Sequence, residues 1–242
     1  MNNEMRLARK DLGPGWIDLG YGEPVIIQKI LHKYLNPAMK PIVLPSPNSF
    51  LNSQYQPPKG MQSLTDFLEK KYGAQVVITN GAKQGIAAVM YALKNKGHTS
   101  CIMHRPYWTS TPNLIAGQGL TVKYLDEPDV DSNALLLTCP NNPDGKDFTQ
   151  EELKGMSDGA KAEGVTLIHD AAYYSSIYTM DNPVAPIGDV QIYSFAKMYG
   201  LSGLRIGYVV CQDESFVPLV TEFVERSCSG VSTASQQIAL AI

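Results

Sequence analysis

The chain has 242 residues, 44% hydrophobic and 18% charged, with a formal net charge of −3. That is the composition of a globular protein with enough chain for one sizeable domain, and its slight acidity gives no electrostatic reason to expect nucleic acid or an anionic membrane as a partner. The apolar runs are too short to span a bilayer and the Met-Asn-Asn-Glu start lacks an apolar signal core, so a cytoplasmic location is expected.

Val25 to Tyr34 is expected to be helical, with Ile26, Ile30 and Tyr34 one turn apart. Asn36 to Lys59 is rich in proline and reads as an extended crossing segment. Strands and helices then alternate. Gly60 to Tyr72 carries Leu64, Phe67, Leu68 and Tyr72 at helical spacing and stops at Gly73. Val76–Ile78 is a strand, Ala82–Lys96 a helix and Cys101–Met103 a strand. Trp108–Ala116 is expected to be helical, and Thr121–Leu125 and Ala134–Leu137 extended. Thr149 opens a helix with Glu152 three residues on, the pattern of a capping box. Val165–Ile168, Val190–Tyr193 and Ile206–Val210 are further strands, with helices over Glu214–Arg226 and from Ser232 onward. Continuous apolar strands between helices predict an α/β fold with a mostly parallel central sheet covered on both faces. Cys101, Cys139, Cys211 and Cys228 are widely spaced, three of them in or beside apolar strands. They read as reduced thiols rather than disulfides or metal ligands.

Ligands of such sheets sit outside the carboxyl ends of the strands. Those ends deliver Thr79-Asn80-Gly81-Ala82-Lys83, then Arg105-Pro106-Tyr107-Trp108, then Asn141-Asn142-Pro143-Asp144-Gly145, then Asp170-Ala171-Ala172-Tyr173, and finally Ser194-Phe195-Ala196-Lys197. Each group suits one part of a phosphorylated aromatic aldehyde. Small residues at a helix N-terminus offer N–H groups to a phosphate, and Arg205 can add a bidentate contact. Trp108 can stack on a flat ring, Asp170 can keep a ring nitrogen protonated, and Lys197 can form a Schiff base. Taken singly, the same residues have plainer readings: Asp170 as a turn cap, Trp108 as core, Asn142 as a turn residue, Tyr55 as a packing residue of the crossing. His98, His104 and His169 are assigned no catalytic part, and by strand alternation His169 faces away from Asp170.

The run from Ser194 to Tyr208 closely resembles the lysine signature of the class I/II aminotransferases, pyridoxal phosphate (PLP) dependent enzymes of fold type I. Asn141–Gly145, Asp170–Tyr173, Asp18–Pro24 and Tyr55–Gly60 resemble other landmarks of that family, in its order along the chain. The resemblance implies an aminotransferase moving an amino group between an amino acid and a 2-oxo acid. Lys197 would bind the cofactor and shuttle the substrate's α-proton. Asp170 would pair with the ring nitrogen, Asn142 and Tyr173 would bond the ring's phenolic oxygen, and Trp108 would stack on the ring. Gly81, Ala82, Lys83, Ser194 and Arg205 would hold the phosphate. Tyr55 would reach the phosphate of a second subunit, which implies a homodimer with shared sites. Gly22 and Asn142 would lie near the substrate, and no metal is implied.

Three domain segments follow from the resemblance: an arm and first helix over 1–35, a PLP-binding large domain over 36–230, and the start of a C-terminal segment over 231–242. Ala196 stands where many members carry a serine, and Asp144 where threonine is usual. Only 45 residues follow Lys197. The small domain is therefore expected to be largely absent, and none of Arg6, Arg9, Arg105, Arg205 and Arg226 falls at the family's carboxylate-binding position. A second reading is another PLP reaction on the same fold, a lyase or side-chain replacement, which the cofactor residues do not distinguish from transamination; a third, which the missing carboxylate arginine favours, is a PLP-binding protein with little turnover.

Overall fold

The computed structural model describes residues 55–127, 132–174 and 185–241. The helix expected over Val25–Tyr34, most of the proline-rich crossing and Gly22 lie outside them.

The first described helix, α1 (Gln62–Tyr72), ends where Gly73 takes φ 63° and returns its N–H to Glu69 O. This is a left-handed stop that glycine adopts without steric cost. Strand β1 (Gln75–Thr79) leads into α2 (Gly81–Asn95), whose Ile86, Val89, Met90 and Leu93 form a buried stripe. Next come β2 (Ser100–Met103), α3 (Thr111–Ala116), β3 (Thr121–Tyr124) and β4 (Ala134–Thr138). Helix α3 starts three residues later than the apolar spacing predicts. Trp108 O accepts from Thr111 N–H in a turn, and Pro112 is tolerated only in the first helical turn that follows. Helix α4 (Gln150–Ala162) opens with both bonds of the capping box, Glu152 N–H to Thr149 Oγ1 and Thr149 N–H to the Glu152 carboxylate. Strands β5 (Thr166–Asp170) and β6 (Val190–Ser194), the short helix α5 (Phe195–Met198), strand β7 (Gly207–Cys211), and helices α6 (Val217–Cys228) and α7 (Thr233–Leu240) complete the order.

The strands form one sheet in the order β1-β7-β6-β5-β4-β2-β3. Strand β7 is antiparallel to both of its neighbours, and every other pair is parallel. The expected mostly parallel sheet is therefore present with one reversed strand. Reversal puts the beginning of β7 at the edge where the other six strands end. Thr79, Gly207 and Ser194 stand in one row across β1, β7 and β6, and Asp170 stands opposite Thr138 and Ile192.

Helices cover both faces. Ile192 and Val209 press on Gly85 of α2, where a Cβ would come within 2.9 Å of Ile192 Cγ2. On the other face, Leu137 and Leu167 cluster with Leu153 and Ala160 of α4. Tyr193 and Tyr208, paired across β6 and β7, stack with centroids 4.9 Å apart, and Tyr72 of α1 bonds the Tyr208 hydroxyl at 2.7 Å. Of the four cysteines, all unpaired, three are buried. Among the described residues no helix is long and apolar enough to cross a membrane.

Consecutive residues of a strand face opposite sides, and β5 puts ionisable groups on both. Asp170 shares its side with Ile192, while His169 shares its side with Leu137 and Gln191. Ile187 N–H donates to His169 Nδ1, which leaves Nε2–H to donate to Cys139 O at 2.9 Å. The ring is thus fixed as one neutral tautomer, and burial lowers its pKa to about 4. A histidine charged in the unfolded chain below pH 6.5 but neutral in the fold until about pH 4 costs stability on acidification across that window. Denaturant titrations from pH 7 to pH 4 should therefore show the native protein losing up to roughly 3 kcal/mol relative to His169→Gln. Parallel pH profiles of the two proteins would assign the acid sensitivity to other groups.

Candidate active site

The phosphate-side groups gather at the row of strand ends. Gly81 takes φ 77°, and a Cβ there would lie 2.9 Å from Arg205 Nη2, so the guanidinium rests against the start of α2. Arg205 itself is held in the left-handed region, at φ 49°, with Nη1–H donating to Ser202 O at 3.0 Å. An arginine at positive φ is uncommon and needs support from its surroundings. Gly207 makes the approach possible. A Cβ on it would meet Tyr193 O at 2.6 Å, Gly81 C at 2.8 Å and Ala82 N at 2.9 Å, all backbone atoms. Ser194 is buried beside Gly207 in the register and begins the short helix α5 that carries Lys197, without capping it.

The N-terminus of α2 is not capped by its own N-cap side chain. Gln84 Oε1 accepts from Asn80 N–H at 2.7 Å, and Asn80 Nδ2 donates to Cys228 Sγ at 3.2 Å. Gly81 and Ala82, which open the helix at its positive dipole end, are the parts of α2 that lie against Arg205 and Gly207.

Further along the edge, Asn142 Nδ2–H donates to the Tyr173 hydroxyl at 3.1 Å. Burial and the neighbouring Asp170 carboxylate push the Tyr173 hydroxyl above its ordinary pKa, with Asn142 pulling the other way. Lys197 Nζ lies 5.8 Å from the centre of the Tyr173 ring. Asp170 is buried and accepts from Ala172 N–H at 3.2 Å; burial outweighs that bond and raises its pKa to about 6. Trp108 is half-buried against the core, with Lys83 Nζ 5.6 Å from its ring centre. The turn carrying Asn142 is tied to the Trp108 loop by Asn141 Nδ2–H to Pro106 O, and Asp144 closes that turn by accepting from Asn141 and from Lys146 N–H. A carboxylate in place of threonine thus serves the turn.

Two groups of candidate residues therefore assemble on one edge. Gly81, Ala82, Lys83, Ser194, Arg205 and Trp108 form one, and Asn142, Asp170, Tyr173 and Lys197 the other. Tyr55 stands apart, 88% exposed. Gly22 lies outside the described residues. The sequence alone gives no packing role to Gly207 or Gly85 and no link between Asn80 and Cys228. The signal for Gly207 was available, since a glycine opening an apolar strand marks a close backbone approach.

The doubly covered, mostly parallel sheet with one reversed strand is the fold-type-I architecture, and Lys197, Asp170 and the Arg205-flanked start of α2 stand at its carboxyl edge. The chain belongs to the class I and II aminotransferase family, which is PLP-dependent, and the family model matches residues 50–242. It is 28% identical over 219 residues to an aspartate aminotransferase of Thermotoga maritima, covering 77% of this chain and 57% of that one. It is 24% identical over 221 residues to a probable aspartate/prephenate aminotransferase of Aquifex aeolicus, covering 78% and 56%. The chain thus spans little more than half the length of these relatives. Its fold superposes on the Thermotoga enzyme's crystal structure with a TM-score of 0.69 at 23% identity, covering 99% of this chain and 71% of that one. It superposes on a Thermus thermophilus aspartate aminotransferase mutant complexed with tryptophan with a TM-score of 0.74 at 21% identity, covering 98% and 67%.

Gly207→Ala should cost about 1–3 kcal/mol of stability, because backbone atoms cannot rotate out of the way, and should weaken PLP binding by displacing Gly81 and Ala82. Gly203→Ala, with nothing within 4 Å of the added carbon, is the neutral control. Equal denaturation midpoints and PLP titrations for the two variants would show that the close approach is not needed.

Proposed function

We propose that this chain is the cofactor-binding part of an aminotransferase acting on an amino acid and a 2-oxo acid. The observation that carries the reading is the meeting of Asp170, Tyr173, Asn142 and Lys197 on one side of a strand edge whose other side offers an anion cradle. The residues fit PLP. A Cβ at Gly81 would intrude on the Arg205 guanidinium, and Asp170 is a buried carboxylate with one hydrogen bond among the described residues, suited to a cationic partner. When bound, PLP supplies an aldehyde that condenses with amines and a ring that accepts electrons.

The chain's own groups then take these parts. The N–H groups of Gly81, Ala82 and Lys83, with Ser194 and Arg205, bind the phosphate. The Asp170 carboxylate, whose pKa lies near 6 without a partner, stays ionised against a protonated ring nitrogen. Asn142 and Tyr173 orient the phenolic oxygen, and Trp108 closes one face of the ring against water. The Lys197 amine would hold the cofactor and, once the substrate's amine displaces it, would be the free base for the proton on the substrate's α-carbon. Gly22 and Asn142 border the substrate. Residues 36–230 form the cofactor domain, with 1–35 as an N-terminal arm and first helix on the small-domain side and 231–242 as the start of the C-terminal segment, and the protein works in the cytoplasm.

Borohydride treatment of the PLP-loaded protein, followed by peptide mapping, should leave the pyridoxyl group on Lys197. Label on another lysine, or none, overturns the assignment.

Tyr55 supports a second part of the reading, a homodimer with shared sites, because its ring is 88% exposed on its own chain and so open to another subunit. Mixing Lys197→Ala with Tyr55→Phe should form heterodimers with one intact site. The mixture should then exceed both parents in substrate-induced change of the PLP absorbance. A mixture no better than its parents, with subunit exchange verified, counts against sharing.

A further inference from the structure

The start of α2 has an arrangement that the fold alone does not require. Asparagine is among the best N-cap residues because its side-chain oxygen accepts from the N–H groups of the first turn. Asn80 occupies the N-cap position and makes no such bond. Its amide is turned outward and donates to Cys228 Sγ, at the end of α6, at 3.2 Å. Gln84 takes up the neighbouring positions. Its Oε1 accepts from Asn80 N–H, and its Nε2 donates to Ser227 Oγ at 2.8 Å and to Cys228 Sγ at 3.3 Å. The thiol completes the cluster by donating to Val224 O at 3.4 Å. Cys228 is therefore fixed as the common acceptor of two side-chain amides, and it binds Asn80 as a donor.

An asparagine held in this way cannot compete for the N–H groups of Ala82 and Lys83. They follow Gly81, against which the Arg205 guanidinium rests, and Ala82 N lies where a Cβ on Gly207 would come within 2.9 Å of it. We infer that Cys228 is a positioning residue for the phosphate end of the cofactor: by holding the Asn80 amide away from its own helix, it keeps the N-terminus of α2 open to an anion. The inference rests on the PLP reading above. It gives Cys228 a part in ligand binding although it touches no ligand, and it implies that the site is kept open at the expense of a helix cap.

The test separates affinity from stability. In Cys228→Ala, Asn80 loses its acceptor and turns to cap α2. PLP affinity should fall roughly fivefold, the factor that one cap bond of about 1 kcal/mol represents, while the melting temperature of the PLP-free protein holds or rises. Pyridoxal, which lacks the phosphate, should bind equally to both proteins. Cys228→Ser, whose hydroxyl also accepts, should retain wild-type PLP affinity, and Asn80→Ala combined with Cys228→Ala should restore it. Unchanged PLP affinity in Cys228→Ala, or an equal loss for pyridoxal, overturns the inference. Should Cys228→Ala fail to fold, Asn80→Ala alone decides: it should bind PLP like wild type, and a phosphate-specific loss would show that Asn80 serves the ligand directly. Failure of the wild-type protein to prefer PLP over pyridoxal would sink the PLP reading instead.

Discussion

The site depends on how closely the backbone of β7 meets the backbone of α2. Gly207 lies where any side chain would strike Tyr193 O, Gly81 C and Ala82 N, and Gly85, one turn into the helix, lies where a methyl group would strike Ile192. These two positions let α2 lie flat on β6 and β7 with its N-terminus at the sheet edge. Every anion-facing group follows from that contact. The start of α2 lies at the edge, the Arg205 guanidinium rests against Gly81 because Arg205 stands two residues before β7, and Ser194 joins them because it pairs with Gly207. Packing sets the geometry here and electrostatics makes use of it. A helix dipole is effective only within its first turn, so a helix raised by one methyl group would present a weaker field to the same ligand.

Strand β5 illustrates how one sheet keeps structural and chemical needs apart. His169 and Asp170 are neighbours in sequence, both buried, and both shifted by burial toward the neutral form. His169 reaches that state with both ring nitrogens hydrogen-bonded and serves as a cross-link between β5, Cys139 and Ile187. Asp170 accepts from one backbone donor among the described residues, on the side where Tyr173 and Lys197 gather. Alternation along an extended strand is enough to give two adjacent residues these different parts.

Much of this is legible in the sequence where the determining interactions are local. The capping box at Thr149 closes within four residues, the stop of α1 depends on Gly73 alone, and the run from Ser194 to Tyr208 is a continuous segment, so it reads as a unit. The direction of β7 is not legible, because an apolar run such as Ile206–Val210 pairs equally well either way and direction is set by β1 and β6. The delayed start of α3 comes from competition between a turn at Trp108 and the placement of Pro112, which apolar spacing does not register. The bond from Asn80 to Cys228 joins residues 148 positions apart, and neither residue type signals the other.

The reversed strand has one more consequence. Because β6 and β7 are antiparallel neighbours, residues 195–206 are formally the loop of a hairpin, far longer than the two to five residues that such a connection needs. Lys197 and Arg205 both ride on that loop, tethered at each end by the pairing of Ser194 with Gly207. Phe195, Met198 and Ile206 anchor the loop in the core, and the spacing of amine and guanidinium depends on the residues between them. An insertion between Met198 and Leu204 would thus change the separation of amine and guanidinium even where the pairing of Ser194 with Gly207 held.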